Sequence, residues 1–569
     1  MSILTTERWQ AWALALSLAV CYVYVIDSYP SWVEPNSGSR VYLTLAIIDD
    51  GSLSIDRCLQ RYGDIQDKAH VGGHFYSDKA PGYSFLLVPI AWVLRKTAIA
   101  GDDYAGMLYG LRLLGLSLPA VAFWMGIRGR LAAFAGSVQL GLALIVVGAL
   151  GTNFFIYSTH LFAHVPAGIL CFLAFNWTHD AGRTTSSSLR LAKAAGAGLL
   201  AGTAFTVDYV VVVAVAVLAL YALVGERFDA FRFLAFVAGL LPPLCLWMAY
   251  NYACFDHPLR VGFHFHADEQ YAEPYRQGFW GVQTPHWRAF AGMSGSPSRG
   301  LFFFSPVLLL APWGWLVLSR DREHRRLAVV SLLVVLAIAG FAATTVDWKG
   351  GWSMGTRYLV PAIPFLLVGV CGALRNLRPG GAKAIVFSSL TAVGLLLAAL
   401  AEVTFPFFPD EFRNPAYNLA WPLLRERTIA NNLLSNQFAI WSLVPVAMAL
   451  AVALGLVLEA SFRGTWRAQG PRMILAAVLV CGVLAVQSTI GEPSNRVVRQ
   501  AVSLGHVFYF RGESDRAIEQ YRRAVEFDPF AVYAHQLLVT LYRQKGDLDA
   551  ARHHLNELRS IRYLDSLAR

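Results

Sequence analysis

The chain has 569 residues, 56% of them hydrophobic and only 15% charged, with a mean hydropathy of +0.47. Soluble globular chains carry about 25% charged residues, so this composition excludes a soluble enzyme, a disordered protein and a fibrous repeat. Apolar runs recur from residue 11 to residue 490, the pattern of an integral membrane protein. The net charge of +10 does not point to nucleic acid, because Lys and Arg fall mostly in short loops between apolar runs, where they set topology.

The first run, Ala11 to Ile26, lacks a small-residue cleavage site behind it and reads as an anchor. Further runs begin near Tyr104, Leu131, Leu161, Leu191, Val210, Phe233, Leu301, Leu327, Tyr358, Ala384, Ile440 and Met473. Basic clusters such as Arg128/Arg130, Arg320/Arg322/Arg325/Arg326 and Arg375/Arg378/Lys383 mark the cytoplasmic loops. Segments 28–82, 151–159, 254–299, 347–357, 408–435 and everything past 491 then face outward. The run Tyr83 to Leu94 is short, contains Pro89 and ends in Arg95-Lys96, so it reads as re-entrant. On that reading the fold is all-α, with about 13 spans. The chain sits in the cytoplasmic membrane and its working face is extracytoplasmic. Cys58 and Cys254 share the outer face, where one bridge is possible.

The domain division is 1–490, a membrane domain with outer loops 28–82 and 254–299, and 497–569, a polar helical tail. In the tail Leu504, Phe508, Gly512 and Ala517 recur as Leu538, Tyr542, Gly546 and Ala551. The offset of about 34 residues is the tetratricopeptide period, which makes the tail a candidate surface for a protein partner.

The outer segments hold the candidate chemistry. Residues Ser39 to Ile48 have the pattern of a short amphipathic helix, capped by Ser37 or Ser39, ended by Gly51 and lying in the membrane surface. Asp49 and Asp50 follow, as a turn, a carboxylate of raised pKa or a cation site. Asp78 and Lys79 precede the re-entrant run. Lys79 is placed to neutralise a lipid phosphate, with Asp78 orienting it or binding a cation. Asp208 stands at a helix-hairpin turn between apolar runs. His160 and His164, four apart, would share one helix face, as a metal pair, a phosphate contact or packed side chains. His257, His264, His266, Asp268 and Glu269 form either a solvated loop or a lid. Arg357 opens a span as an interface anchor or a phosphate contact, and Trp348 and Trp352 are placed to stack a sugar or to join the aromatic belt.

Glu34 in Glu-Pro-Asn-Ser-Gly-Ser-Arg, Asp50 to Asp56 (Asp-Gly-Ser-Leu-Ser-Ile-Asp) and Tyr76 to Gly82 (Tyr-Ser-Asp-Lys-Ala-Pro-Gly) occur in that order. Together they resemble the first outer loop of GT-C glycosyltransferases, the superfamily of protein O-mannosyltransferases and aminoarabinose transferases. Tyr157 to His160 with His164, Asp208-Tyr209, Arg299 to Pro306 and Trp348 to Tyr358 extend the resemblance over residues 10–375. Where mannosyltransferases carry a paired acid after the first span, this chain has a lone Glu34 before Pro35.

The resemblance implies transfer of a sugar from a polyprenyl-phosphate donor to a lipid, glycan or protein acceptor, with membrane lipids around it and no nucleic acid. It implies Glu34, Asp78 or Asp50 as catalytic acids, and Lys79, Arg40 and Arg357 at the donor phosphate. It implies Asp208, Tyr209, His164, Trp348 and Trp352 around sugar or acceptor. No resident cofactor or metal is assigned, and a divalent cation is possible. The competing classes are a lipid-linked glycan flippase or transporter and a non-enzymatic anchor for the tail.

Overall fold

The computed structural model describes residues 3–27, 29, 32–97, 103–225, 228–276, 281–432, 435, 442–464, 466–492 and 496–568. Helix makes up 74% of the structure. The strands among the described residues are one hairpin, Ala69–Val71 paired antiparallel with His74–Tyr76. Gly72 and Gly73, with φ of 60° and 84°, make the left-handed two-residue turn that such hairpins require.

Seven helical stretches, from Tyr104–Ala135 to Ala468–Ser488, are long and apolar enough to cross a membrane, so the protein is a multi-pass membrane protein. Four more apolar helices are shorter: Gly82–Leu94, Val138–Leu150, Tyr209–Val224 and Pro306–Ser319. The run expected from Leu131 breaks at Gly136, whose φ of 77° ends one helix before Val138–Leu150 begins. The expected start at Ile440 lies outside the described residues, and the helix there is described from Val444.

The bundle has two unlike ends. At one, the basic loops are stitched together by ion pairs of Arg375 with Asp321 (2.7 Å), Arg183 with Glu323 (3.4 Å) and Arg190 with Asp229 (3.4 Å). At the other end the long loops and the tail converge. Between them, Ser187–Val207 and Ala230–Phe255 pack backbone to backbone. A Cβ on Gly198 would meet the carbonyl of Phe236, and one on Gly239 the carbonyl of Ala195. Small residues at such crossings replace the hydrophobic drive that helices in lipid lack.

The helix expected over Ser39 to Ile48 exists with other boundaries. It runs Pro35–Leu45 and continues as a π-turn, Ala46–Asp50, ended by Gly51 at φ 60°. Its cap is the Glu34 carboxylate, not Ser37 or Ser39, and Pro35 takes the first position, where its missing N–H costs nothing. Residues 36–46 are all buried, so the helix does not lie open on a membrane surface. The Gly82–Leu94 helix covers one side. Ser84 Oγ donates to the Arg40 carbonyl (3.0 Å), Thr44 Oγ1 to the Ser84 carbonyl (3.3 Å), and Arg95 pairs with Asp49. At about 1.5 Å per residue this helix of 13 residues spans about 20 Å, short of the roughly 30 Å hydrocarbon core.

Segment 151–159, expected to face outward, is buried throughout. Cys58 and Cys254 are both free and buried, and the Cys58 thiol points at the Tyr42 carbonyl (3.5 Å).

The tail folds as two helix hairpins, Val497–Phe510 with Ser514–Phe527 and Val532–Gln544 with Leu548–Ala568. The matching turns use Gly512 and Gly546, at φ of 80° and 79°. Gly505 lies against the Tyr521 ring, where a Cβ would not fit. The tail is docked on the membrane domain. Arg511 donates to the carbonyls of Thr404 (3.2 Å) and Ile429, Arg516 pairs with Glu426 (2.6 Å), and Phe510 stacks on Trp32 at 4.3 Å.

The Gly198 contact is testable. Gly198→Leu should destabilise by about 1–3 kcal/mol through overpacking, read as a lower Tm in detergent. Gly455→Leu, where a side chain meets nothing within 4 Å, should leave Tm close to wild type.

Candidate functional site

The convergent loops enclose a cavity of about 520 Å³ whose walls come from the 32–40 and 66–80 segments, His164, the 207–210 turn, 261–275, Val282, 341–358, Phe407 and the tail. Of the eleven residues to which the resemblance gave a role, all but Asp50 and Trp348 line it, and of the histidine-rich loop His264 and His266 do so while His257, Asp268 and Glu269 do not. Asp50 instead pairs with Arg57 (2.6 Å), drawn away by the π-turn that ends its helix. Trp348 packs on Gly292, while its neighbours Asp347 and Gly350 turn into the cavity.

Glu34 enters through its capping role. Its Oε1 accepts from the Asn36 N–H (2.9 Å) and its Oε2 from the Ser37 N–H (2.6 Å). One turn further on, the buried Arg40 donates to the Asn36 carbonyl (2.8 Å) and to the Asn36 side chain. Its Nε is buried with no hydrogen-bond partner.

Lys79 is the hub of the first loop. Its ammonium lies 2.8 Å from Asp67 and 2.8 Å from Asp78, and Ser39 Oγ donates to the other Asp78 oxygen (3.0 Å). Burial works against the Lys79 charge, but Asp67 and Asp78 outweigh it and hold Lys79 above the usual lysine range. Burial likewise opposes the Asp67 charge, and Lys79 holds that carboxyl below the usual range. Asp67, Asp78 and His266 bring possible ligand atoms within 4.8 Å of one another. The Lys79 ammonium already bonds both carboxylates and supplies the positive charge there.

His164 and His160 do not share a helix face. The helix begins at His164, and His160 precedes it in the buried turn. His164 Nδ1 bonds Asp208 in the cavity wall. Asp208 ends the Ser187–Val207 helix and also accepts from the Val210 N–H (3.2 Å). Tyr209 accepts from Trp247 Nε1 (3.0 Å).

His160 belongs to a different cluster behind the cavity wall. It lies 3.3 Å from Asp27, Asp27 lies 3.1 Å from Arg112, and Thr159 Oγ1 donates to Glu402 (2.6 Å). The His160 ring meets the edge of Phe407, which faces the cavity. These buried groups tie the end of Ile3–Tyr24 to the 104–135 and 382–404 helices. The sequence reading named His160 but missed Asp27, Arg112 and Glu402, although a lone Arg inside an apolar run was a usable signal.

The other residue missed is Asp347, in the turn at 347–351. Asp347 opens into the cavity, and its Oδ1 accepts from the Gly350 N–H (3.2 Å). Gly350 and Gly351 have φ of 76° and 63°. The turn wraps Arg357 so closely that a Cβ on Gly350 would lie 2.8 Å from Arg357 Nε. Asp347 is exposed on the cavity side; the desolvating walls around it hold its carboxyl above the usual range, and Arg357 opposes that rise. The Arg357 guanidinium lies 5.6 Å from the centre of the Phe162 ring and 5.3 Å from that of Tyr358, and its Nε is buried without a partner. Among the described residues neither Arg40 nor Arg357 forms an ion pair, whereas Lys79 forms two.

The tail supplies the remaining wall through His506, Phe510 and Tyr533. His506 Nδ1 lies 2.6 Å from the Tyr521 hydroxyl, and burial pushes its pKa down to about 4. The chain matches no family model, no curated protein and no solved structure.

The Lys79 arrangement carries a prediction. Lys79→Ala leaves Asp67 and Asp78 facing each other without a cation, and breaking such a pair costs about 3–5 kcal/mol when buried. The variant should lose protease resistance in the 50–81 loop. Restoring resistance with Lys79→Met plus Asp67→Asn and Asp78→Asn would show that charge, not the lysine stem, holds the loop.

Proposed function

We propose that the protein is a membrane glycosyltransferase that moves a sugar from a polyprenyl-phosphate donor to an acceptor hydroxyl, in a cavity on the extracytoplasmic face. One observation carries the reading. Arg40 and Arg357 reach one cavity with no carboxylate in ion-pair range among the described residues, and Asp347 stands beside Arg357 without an ion-pair partner there. Two unmatched guanidinium groups suit a phosphate, since arginine binds such oxygens with planar, charge-assisted hydrogen bonds. Lys79 is already neutralised twice over, so on this reading it builds the site and the two arginines hold the leaving group.

The step is a displacement at the anomeric carbon. The acceptor hydroxyl gives its proton to Asp347 as its oxygen bonds to that carbon. The bond from that carbon to the phosphate oxygen breaks, and its electron pair leaves on the polyprenyl phosphate, whose charge meets Arg40 and Arg357. Glu34 is the weaker candidate for the base, because both of its oxygens are engaged by the Asn36 and Ser37 N–H groups at the helix end.

Seven helices long enough to cross and four shorter apolar ones support a many-span membrane domain, and the basic residues in its short loops support a cytoplasmic placing of those loops. The repeat spacing and paired hairpins support a tetratricopeptide reading of the tail. The buried Asp27–Arg112–His160 cluster is a feature that favours a transporter.

The test is transfer and donor binding measured separately. Asp347→Asn should lower transfer by about 10²–10⁴ and spare donor binding. Arg357→Ala should weaken both. In the wild type, activity should fall on the acid side at a pH above the ordinary Asp value of about 4, because a base with a raised pKa takes up its proton there. Near-normal transfer by Asp347→Asn would return the role to Glu34 or Asp78.

A further inference from the structure

The tail is a wall of the cavity, and that wall is chemically unlike the rest. Every Asp, Glu, Lys and Arg lining the cavity comes from the membrane domain and its loops. The tail adds His506, Phe510 and Tyr533, and beside them stand Trp32 and Trp352. Phe510 covers one face of Trp32 at 4.3 Å, and Trp352 lies 6.1 Å from both His506 and Phe510. Tyr533 meets His506 edge-on at 5.7 Å and keeps 56% of its surface exposed. With its pKa near 4, His506 is neutral at physiological pH. Rings line the cavity throughout, and its tail-side wall, the aromatic end, is the part to which the tail adds no charged side chain.

We propose that the aromatic end is an acceptor subsite, and that it takes an uncharged sugar ring whose hydroxyl is the nucleophile. The inference rests on the transferase reading. An anion belongs at the arginine end. Aromatic faces bind the apolar C–H face of a sugar, and a neutral imidazole exchanges a hydrogen bond with a hydroxyl without selecting charge. A peptide acceptor docked by strand addition needs an open sheet edge, and on the described hairpin Ala69 is already bridged to His266. The tail is not a loose lid. Arg511 bonds two membrane-domain carbonyls, and Arg516 bonds Glu426 and Thr428, so the subsite is formed before the acceptor arrives. A cavity of about 520 Å³ is within the usual range for small-molecule sites, about 300–1,000 Å³. The tail, which on its sequence alone is a surface for a protein partner, here becomes part of substrate recognition.

The experiment places the photo-crosslinking residue p-benzoylphenylalanine at Tyr533 in the full-length protein in its own membranes, with a second protein carrying it at Tyr358. Adducts are identified by mass spectrometry. The Tyr533 probe should capture hexose-bearing, phosphate-free material. Adducts there that are only phospholipid or sugar-free peptide, or no adduct at all, would overturn the subsite. The Tyr358 probe should capture polyprenyl phosphate, and its failure would strike the donor reading while leaving the Tyr533 result to stand or fall alone. In the transfer assay Tyr533→Ala should raise the acceptor KM about tenfold with donor affinity unchanged. A change confined to kcat, or shared equally by the donor, would also contradict the subsite.

Discussion

The ammonium of Lys79, 2.8 Å from both Asp67 and Asp78, folds the first long loop back on the helix it left. Ser39 on that helix joins the triad through Asp78. Gly262 packs so tightly on Asp78 that a Cβ there would lie 2.6 Å from its Cα, so a loop nearly two hundred residues later is seated on the same pair. Without this neutralised cluster, two carboxylates would be stranded at the end of an apolar bundle, where an unpaired charge is costly. The floor of the cavity depends on it.

Once the floor is neutral, the remaining charges acquire meaning. His164 satisfies Asp208, and backbone N–H groups satisfy Glu34. Arg40, Arg357 and Asp347 are left facing the cavity. A fold that pairs Lys79 twice and leaves two arginines without ion pairs among the described residues, one of them beside Asp347, has the asymmetry needed to bind an anion and take up a proton. The docking of the tail completes the enclosure from the opposite side and adds no formal charge to it.

Much of this was legible in the sequence because apolar runs and loop charges are local signals. They gave the membrane class, the long loops that converge on the cavity, and Arg40, Asp78, Lys79, Asp208 and Arg357 as residues of one face. Other features were not local. Asp347 stands next to Trp348, which the sequence favoured, but in a turn set by Gly350 and Gly351 no periodicity fixes which side chain points inward. Glu34 was expected to act through its carboxylate, and that carboxylate also caps a helix, a position where Ser, Thr and Asp are the usual choice. The Asp27–His160–Glu402 neighbourhood joins residues up to 375 positions apart. The seating of Phe510 on Trp32 likewise crosses almost the whole chain. Repeat spacing told which tail residues face each other, not that His506 and Tyr533 would face a cavity.

The central claim is that two unmatched arginines bind a lipid phosphate. Native mass spectrometry of the full-length protein with undecaprenyl phosphate, and with the uncharged alcohol undecaprenol, tests it most directly. The account predicts a resolved complex with the phosphate, none of comparable occupancy with the alcohol, and at least about a tenfold loss of affinity in Arg40→Gln/Arg357→Gln, the size of one lost charge-assisted contact. Equal binding of the alcohol, or phosphate binding untouched by the double substitution, would contradict it.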